Sequence, residues 1–561
     1  MQAASHEDTA RGVEAFDRRL GLVSLAVGLG CLVLLLATSP GLPMVWDEGN
    51  AIRRADCIRR WAGRWFDAGP EGRASVLTEA TLQADWPYTT RLEGHPALYG
   101  ILIALGRSVA DGWLAPLQAA RFGPMVFFSL AVGAFYYRLA RQFSHRAALG
   151  TAAALVLLPR LFAHAHFASF DGPLTSAWML SYAAFAPARG SRRWAVVFGL
   201  ALGAAFSCKA TGLLAPLPFV LWAILYRDRR AACALALALP VALVTFVAMN
   251  PPLWHDPAGG FGTFLALNLG RAARPGLNIS TWFLGRMYNL DHPLPWYNTL
   301  FWTAVTVPLA LLFLLGVGLA GPLRRPRRER DAMLLLAGAA VLLVARALPG
   351  VPPHDGVRQF LPSFAFLAAL IGLGADRMVG WLSARTGGGR LGSLAVVGGL
   401  YLASATSLVW YGPHWLSYYN LAIGGLRGAT AAGMEPTYYW DGLDREVLDW
   451  LHAHTLPAEK IRFAAGPDEN LELMRRWGLL GRGFRPSDPG AFHWYVLQHR
   501  PSAWSPADRR LFERGTPVMT RTIRPGGVGP WKLDVPLVMV YPYGSRQQAA
   551  GSRQQAAGSG Q

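Results

Sequence analysis

The sequence predicts a polytopic α-helical membrane protein with a small α/β domain at its C-terminal end, and three observations predict it. The 561 residues are 52% hydrophobic, with a mean hydropathy of +0.25, too apolar for a soluble chain of this size. The apolar residues gather in runs of roughly 15–22, the length of a membrane helix. After Trp410 the hydropathy falls and short alternations of helix and strand pattern take over. The formal charge of +19 would ordinarily raise nucleic acid as a partner. Here the arginines sit in short loops between apolar runs, where they orient a chain in a bilayer, so nucleic acid is set aside and the lipid bilayer is the expected partner.

In order, the apolar runs cover about 20–38, 121–138, 147–165, 172–187, 194–207, 212–225, 231–249, 297–320, 331–348, 357–375 and 391–411. The first lacks a small-residue cleavage pattern and reads as a retained span. Arginine-rich connections fall at Arg138 to Arg146, Arg189 to Arg193, Arg227 to Arg230, Arg324 to Arg330 and Arg377 to Arg390. The positive-inside rule puts all five in the cytoplasm. The alternation closes with about eleven spans, the N-terminus inside and the C-terminus outside. Pro96 to Trp113 must then not cross; it is short, carries Arg107 and Asp111, and is expected to lie on or dip into the outer leaflet. The four cysteines, Cys31, Cys57, Cys208 and Cys233, show neither a disulfide framework nor zinc spacing.

This topology gathers the unusual polar residues on the outer side. The first outer loop, about 41–120, holds Asp47, Glu48 and His95-Pro96. The next holds His164, His166 and Asp171, and a third the stretch Ser207-Cys208-Lys209-Ala210-Thr211-Gly212. Loop 250–296 opens Asn250-Pro251-Pro252-Leu253-Trp254-His255-Asp256, and the last carries Pro353-His354-Asp355-Gly356-Val357-Arg358-Gln359. An ionisable group at membrane depth costs about 2.5–3.5 kcal/mol on insertion scales, so such groups mark sites. Their one-sided distribution argues against a proton relay, which would be spread through the bilayer.

Each residue also has a plainer reading. Asp47-Glu48 could cap the helix that follows, and Asp171 before Gly172-Pro173 could cap the next span. His164 and His166, two apart, do not share a helix face, which gives zinc little support. Lys209 is one of three lysines, with Lys460 and Lys532. It could snorkel at a span end, yet positive charge is disfavoured on that side, and a lysine binds phosphate as a compact charge. Arg358 could pair with Asp355 or contact a phosphate. His255 and His354 each precede an aspartate in a proline-rich turn, where most histidines are ordinary loop residues. Together the set supplies carboxylates, two cations and several histidines: cations for an anionic lipid phosphate, a carboxylate for a hydroxyl to be deprotonated.

Beyond the last span, Glu446 to His454, Glu469 to Leu480 and Pro506 to Arg514 read as helices. Lys460 to Ala465, Phe492 to Leu497, Val518 to Ile523 and Pro536 to Tyr541 read as strands. No GxGxxG follows a strand, so no dinucleotide is expected. The chain thus divides into 1–411, a membrane region; 412–543, an extracytoplasmic α/β domain; and 544–561, a low-complexity tail repeating Gly-Ser-Arg-Gln-Gln-Ala-Ala and expected to be disordered.

Trp46-Asp47-Glu48 after the first span, His95-Pro96, His166 to Asp171, Lys209 to Gly212 and Asp355 to Pro362 resemble the GT-C glycosyltransferases, specifically the protein O-mannosyltransferase and lipid A aminoarabinose transferase group, glycosyltransferase family 39. The resemblance covers about residues 20–375. It implies a GT-C type membrane domain and a polyprenyl- or dolichyl-phosphate sugar as donor. It also implies an acidic residue serving in catalysis at Asp47, an acidic residue of the second outer loop at Asp171 and a donor-phosphate lysine at Lys209. Tyr411 to Asp441 departs from the mannosyltransferase pattern, so the acceptor, whether protein, lipid or glycan, is left open. Tyr439-Trp440-Asp441-Gly442 is faintly similar to an acceptor-binding motif of oligosaccharyltransferases, and a plain turn is the simpler reading.

The expected reaction is an inverting sugar transfer at the outer face of a bacterial inner membrane. Asp47 is the general base, Glu48 and Asp171 position sugar or acceptor, Lys209 and Arg358 bind the donor phosphate, and His95, His166, His255 and His354 contact substrate. No resident metal site or cofactor is identified, and dependence on a divalent metal stays open. Two rivals remain: a transporter or flippase of a lipid-linked sugar, which would want ionisable groups at mid-membrane and an internal repeat, and a non-catalytic scaffold, against which Asp47 and Lys209 argue.

Overall fold

The computed structural model describes residues 2–90, 94–270, 278–385, 390–457, 459–481, 492–523 and 534–544. The predicted tail from 545 onward lies outside the described residues. Every predicted apolar run is helical, but not every run is one straight helix. Among the described residues, five helices are long and apolar enough to cross a membrane: Asp17–Gly41, Pro116–Gln142, Arg229–Met249, Gly356–Arg385 and Arg390–Tyr411. A sixth is the pair His145–Leu157 and Pro159–His166, bent by 76°. These helices make the chain a membrane protein. The expected count of eleven is not carried by helix length alone.

The shortfall has a physical origin. Proline lacks the N–H that a helix interior needs, so it is tolerated in a first turn and elsewhere bends or breaks a helix unless neighbours take up the freed backbone group, as at Pro124 and Pro240. Pro159 splits the predicted run 147–165, and Val307-Pro308 splits 297–320 into Asn298–Thr306 and Leu309–Arg324. The run 212–225 becomes a 3-10 turn, Ala210–Leu214, and a ten-residue helix, Leu217–Tyr226. Runs 172–187, 194–207 and 331–348 form Asp171–Ala188, Arg192–Phe206 and Arg330–Ala347. Leu98–Ala110, the segment expected not to cross, is a 13-residue helix, about 20 Å long at 1.5 Å per residue. Its Leu105 and Val109, and Trp113 just beyond, are exposed, as suits a helix lying at an interface.

Burial orders the bundle. Helix Gly356–Arg385 is its centre, with 94% of its apolar window buried, whereas Asp17–Gly41 and Arg390–Tyr411 have 22% and 17% buried. The two outer helices present leucines and valines to the lipid. Helices Gln2–Thr38 and Pro116–Gln142 approach through glycine. A methyl group on Gly28 would sit 2.9 Å from the Ser129 carbonyl oxygen, and one on Gly133 would sit 2.9 Å from that of Ser24, the close packing that small residues permit between membrane helices.

A two-stranded hairpin, β1 (Thr281–Phe283) and β2 (Arg286–Tyr288), stands in the loop before Asn298. The C-terminal sheet comprises β3 (Ile461–Phe463), β4 (Trp494–Gln498), β5 (Met519–Thr522) and β6 (Pro536–Pro542), in the order β3-β4-β6-β5. β3 and β4 are parallel and the other pairs antiparallel. Helices Arg445–His454, Asp468–Arg476 and Pro506–Arg514 alternate with the strands. The apolar core of this unit is continuous with that of the helical bundle. One clasp fixes the contact: Gly49 N–H donates to Asn470 Oδ1 at 2.8 Å, and Asn470 Nδ2 donates to the Val45 carbonyl at 2.8 Å. The sheet region therefore holds the loop that carries Asp47.

Candidate active site

Asp47 and Glu48 begin the helix Glu48–Asp67. Consecutive residues entering a helix point about 100° apart, so the two carboxylates cannot face the same way. Asp47 lines a cavity of about 600 Å³. Glu48 points into the protein and is 0% exposed. The Arg121 guanidinium grips it with Nε to Oε1 and Nη2 to Oε2, both at 2.7 Å. Ala168 N–H donates to Oε1 and Val45 N–H to Oε2, at 2.9 and 3.0 Å. Arg121 Nη1 also donates to the Leu42 carbonyl and Nη2 to the Pro43 carbonyl. The expectation that Glu48 positions substrate is corrected: its carboxylate staples three segments together from within. Removing one partner of such a pair leaves a bare buried charge, which costs about 3–5 kcal/mol. Glu48→Ala is expected to lower the thermal unfolding temperature of the detergent-solubilised protein sharply, and Glu48→Ala with Arg121→Leu to recover part of the loss. An unchanged melt in Glu48→Ala would refute the staple.

Asp171 opens helix Asp171–Ala188 but caps nothing with its side chain. Buried at 1% exposure, it accepts from Lys209 Nζ at 3.0 Å through Oδ1 and from Arg358 Nε at 2.6 Å through Oδ2. Arg358 is the hub. Its Nη1 donates to Asp355 Oδ2 at 2.5 Å and its Nη2 to Asp47 Oδ2. Phe170 and Tyr439 lie against the guanidinium, 4.9 and 4.1 Å from its carbon to their ring centroids. A planar fork with five donors serves the three carboxylates in fixed directions. Of the two sequence readings of Arg358, pairing with Asp355 is present in the structure. Lys209 also donates to Gln359 Oε1 at 3.1 Å and lies over Phe170.

Asp47 takes a second hydrogen bond on Oδ2, from the Tyr439 hydroxyl at 2.7 Å. Burial pushes the Tyr439 hydroxyl well above its ordinary pKa, so it stays a donor at neutral pH. Among the described residues Asp47 Oδ1 takes no hydrogen bond. One carboxylate oxygen is therefore fixed and the other is open to the cavity. Burial acts to raise the Asp355 carboxyl, but His354, Arg358 and Arg500 outweigh it and hold the group below the usual carboxylate range. Burial pushes His354 down to about 3, which leaves it neutral at pH 7 and the two arginines as the holding charges.

The structure brings Asp47, His95, Lys209, His354 and Arg358 onto one cavity, with Asp171 buried beside it. His95 stacks on Phe170, centroids 4.5 Å apart. His166 is elsewhere: Nδ1 meets the Phe162 carbonyl at 2.7 Å, Nε2 meets Thr38 Oγ1 at 2.8 Å, and the ring stacks on Trp415. His255 Nε2 bonds the Leu77 carbonyl at 2.8 Å and pins two loops together. Neither ring lines the cavity that holds Asp47. Among the described residues no group of three or more His, Cys, Asp or Glu is disposed to hold a metal ion.

Sequence reasoning missed four contributors. Arg500, just after β4, donates to Asp355 Oδ1 at 3.0 Å and lines the cavity; nothing around it in the sequence signals this. Arg121 is an arginine inside an apolar run, an anomaly that was available. Tyr439 and Trp440 belong to the turn already singled out, and that turn enters the site: Trp46 N–H donates to the Tyr439 carbonyl at 3.1 Å, which joins the two loops.

Fold and site together define a helical membrane protein whose polar residues converge on one cavity of carboxylates and cations. Residues 94–255 match the family model described as dolichyl-phosphate-mannose-protein mannosyltransferase, which agrees over that segment with the resemblance read from the sequence. The matched segment contains His95, Asp171 and Lys209. No curated protein matches the chain significantly. Among solved structures, the chain is similar to ArnT from Cupriavidus metallidurans in the apo state, with 16% identity, 92% of this chain and 97% of that chain covered and a TM-score of 0.49. It is also similar to the archaeal oligosaccharyltransferase AglB from Archaeoglobus fulgidus in complex with an inhibitory peptide and a dolichol-phosphate, with 11% identity, 86% and 69% covered and a TM-score of 0.48.

Proposed function

We propose that this chain is a membrane glycosyltransferase that moves a sugar, with inversion, from a polyprenyl-phosphate donor to a hydroxyl or phosphate of an acceptor on the outer face of the cytoplasmic membrane. The observation that carries the reading is one cavity lined by an Asp47 with a free carboxylate oxygen and by two cations, Lys209 and Arg358. The match of 94–255 to the mannosyltransferase family supports it.

With a hydroxyl acceptor, Asp47 Oδ1 takes the proton as the oxygen attacks C1 of the sugar. The bond from C1 to the phosphate oxygen breaks, and polyprenyl phosphate leaves with the bonding pair. Lys209 and Arg358 hold the charge that grows on it. Base catalysis contributes about 10²–10⁴-fold, and preorganised cations in a water-poor cavity contribute further. A phosphate departs without protonation, so no general acid is required. Asp171 and Asp355 orient the two cations.

Purified protein incubated with a panel of polyprenyl-phosphate sugars should release polyprenyl phosphate from at least one of them. Neither binding nor release across the panel would refute the reading. The sidedness is tested separately. Reporter fusions after Arg141, Arg230 and Arg328 are expected to read cytoplasmic, and fusions after Gly260 and Gly466 external. A cytoplasmic reading at Gly466 would place the sheet region on the wrong side to hold the Asp47 loop over an outer-face cavity.

A further inference from the structure

We infer that the Trp46–Trp440 pair, with Arg500, Ser502 and His354, forms a subsite for a monosaccharide ring within the same cavity. The inference rests on the glycosyltransferase reading and adds to it where a sugar sits. Trp46 and Trp440 both line the cavity, with ring centroids 4.8 Å apart and planes tilted by 31°. The Arg500 guanidinium lies over the Trp440 ring at 4.9 Å, which clamps Trp440 and leaves Trp46, the more exposed of the two, to offer an indole face.

Trp440 has φ +62°, a left-handed conformation that bulky residues avoid and that surrounding structure must impose. Three hydrogen bonds anchor the turn: Tyr439 O–H to Asp47, Trp46 N–H to the Tyr439 carbonyl, and Gly442 N–H to Gln498. The turn thus holds Trp440 at the cavity wall as the backing against which Trp46 is packed.

The polar atoms around this face point the same way. Among the described residues, Ser502 Oγ and His354 Nδ1 are buried with no hydrogen-bond partner, Arg500 Nε has only Glu435 Oε2 at 3.6 Å, and all three residues line the cavity. Arg500 is 3% exposed. Unsatisfied buried polar groups are costly, and two on one cavity beside a long Arg500 ion pair suit a ligand rich in hydroxyl oxygens. Arg500 is already charge-balanced by Asp355 and Glu435, 3.0 and 3.6 Å away, so these atoms suit neutral hydroxyls better than a further anion. An indole face for the apolar C–H side of a sugar, flanked by donors for its hydroxyls, is carbohydrate-binding chemistry. The ring could come from the donor or from a glycan acceptor.

The test uses the full-length protein in detergent. Saturation-transfer NMR with a panel of methyl glycosides is expected to show transfer to ring C–H protons. The dissociation constant from titrating that signal should rise roughly tenfold in Trp46→Ala, equivalent to about 1.4 kcal/mol of binding, and recover partly in Trp46→Phe. Binding of sugar-free polyprenyl phosphate should be the same in all three proteins, which also shows that the variants fold. In turnover assays, a raised KM for the donor assigns the ring to the donor sugar, and a raised KM for the acceptor alone assigns it to an acceptor glycan. Unchanged glycoside signals in Trp46→Ala, or no glycoside signal in the parent protein, would overturn the subsite. Glycoside binding without any polyprenyl-phosphate binding in the parent would instead refute the donor reading and leave the subsite standing.

Discussion

Asp47→Asn is expected to slow sugar transfer by at least about 10²-fold with donor binding largely kept. The substitution retains the shape and the hydrogen bond from Tyr439 but removes the proton acceptor facing the cavity. Loss of charge releases one arm of Arg358, which still holds Asp171 and Asp355, so the hub should persist and thermal stability should change little. This separates a catalytic role from a structural one: the Glu48→Ala loss is read in the melt, the Asp47→Asn loss in the turnover. An acceptor whose nucleophile is an ionised phosphate needs no base, so the size of the effect also reports acceptor chemistry. A variant that transfers sugar to a hydroxyl at the parental rate would remove Asp47 from the role. Asp171 and Asp355 are each held by two cations, so neither could take over without displacing them.

Lys209→Met should weaken donor binding and depress turnover further, because the charge on the departing phosphate grows as the C1–O bond breaks. A loss on the order of 10²-fold in kcat/KM would match removal of one preorganised charge contact. Lys209→Arg should restore only part of it, since a planar fork presents its charge differently. The structure adds a control. Asp171 keeps Arg358 when Lys209 is gone, so Lys209→Met does not strand a carboxylate, and a stability loss as large as that of Glu48→Ala is not expected. Donor binding and turnover at parental levels in Lys209→Met would assign the lysine to structure, with Arg358 carrying the phosphate alone.

Much of the architecture was legible because its cause is local. Apolar runs became helices, and the C-terminal alternation of helices and strands appeared within a few residues of its expected places. The helix at 98–110 is as short as its sequence required. What failed was continuity: Pro159 and Pro308 were visible, but whether a proline bends a span or ends it depends on what neighbouring helices offer the freed backbone. Site residues divide in the same way. Asp47, Lys209 and Arg358 stood out because charge at a span end is anomalous by itself. His166 and Glu48 stood out for the same reason and proved to be internal ties, because a buried polar group looks alike in sequence whether its partner is a ligand or another segment of the chain.

By itself, the sequence determined that this is a helical membrane protein with polar residues concentrated in particular loops and an α/β unit at its end; periodicity, run length and charge are short-range properties. Only the tertiary structure decided which of those residues meet. It turned Asp47 toward the cavity and Glu48 toward Arg121, placed Arg358 among three carboxylates, and delivered Tyr439, Trp440 and Arg500 to Asp47 and Asp355 from far along the chain. Contacts between residues hundreds of positions apart depend on how helices pack and how a terminal sheet docks, and no local pattern encodes that.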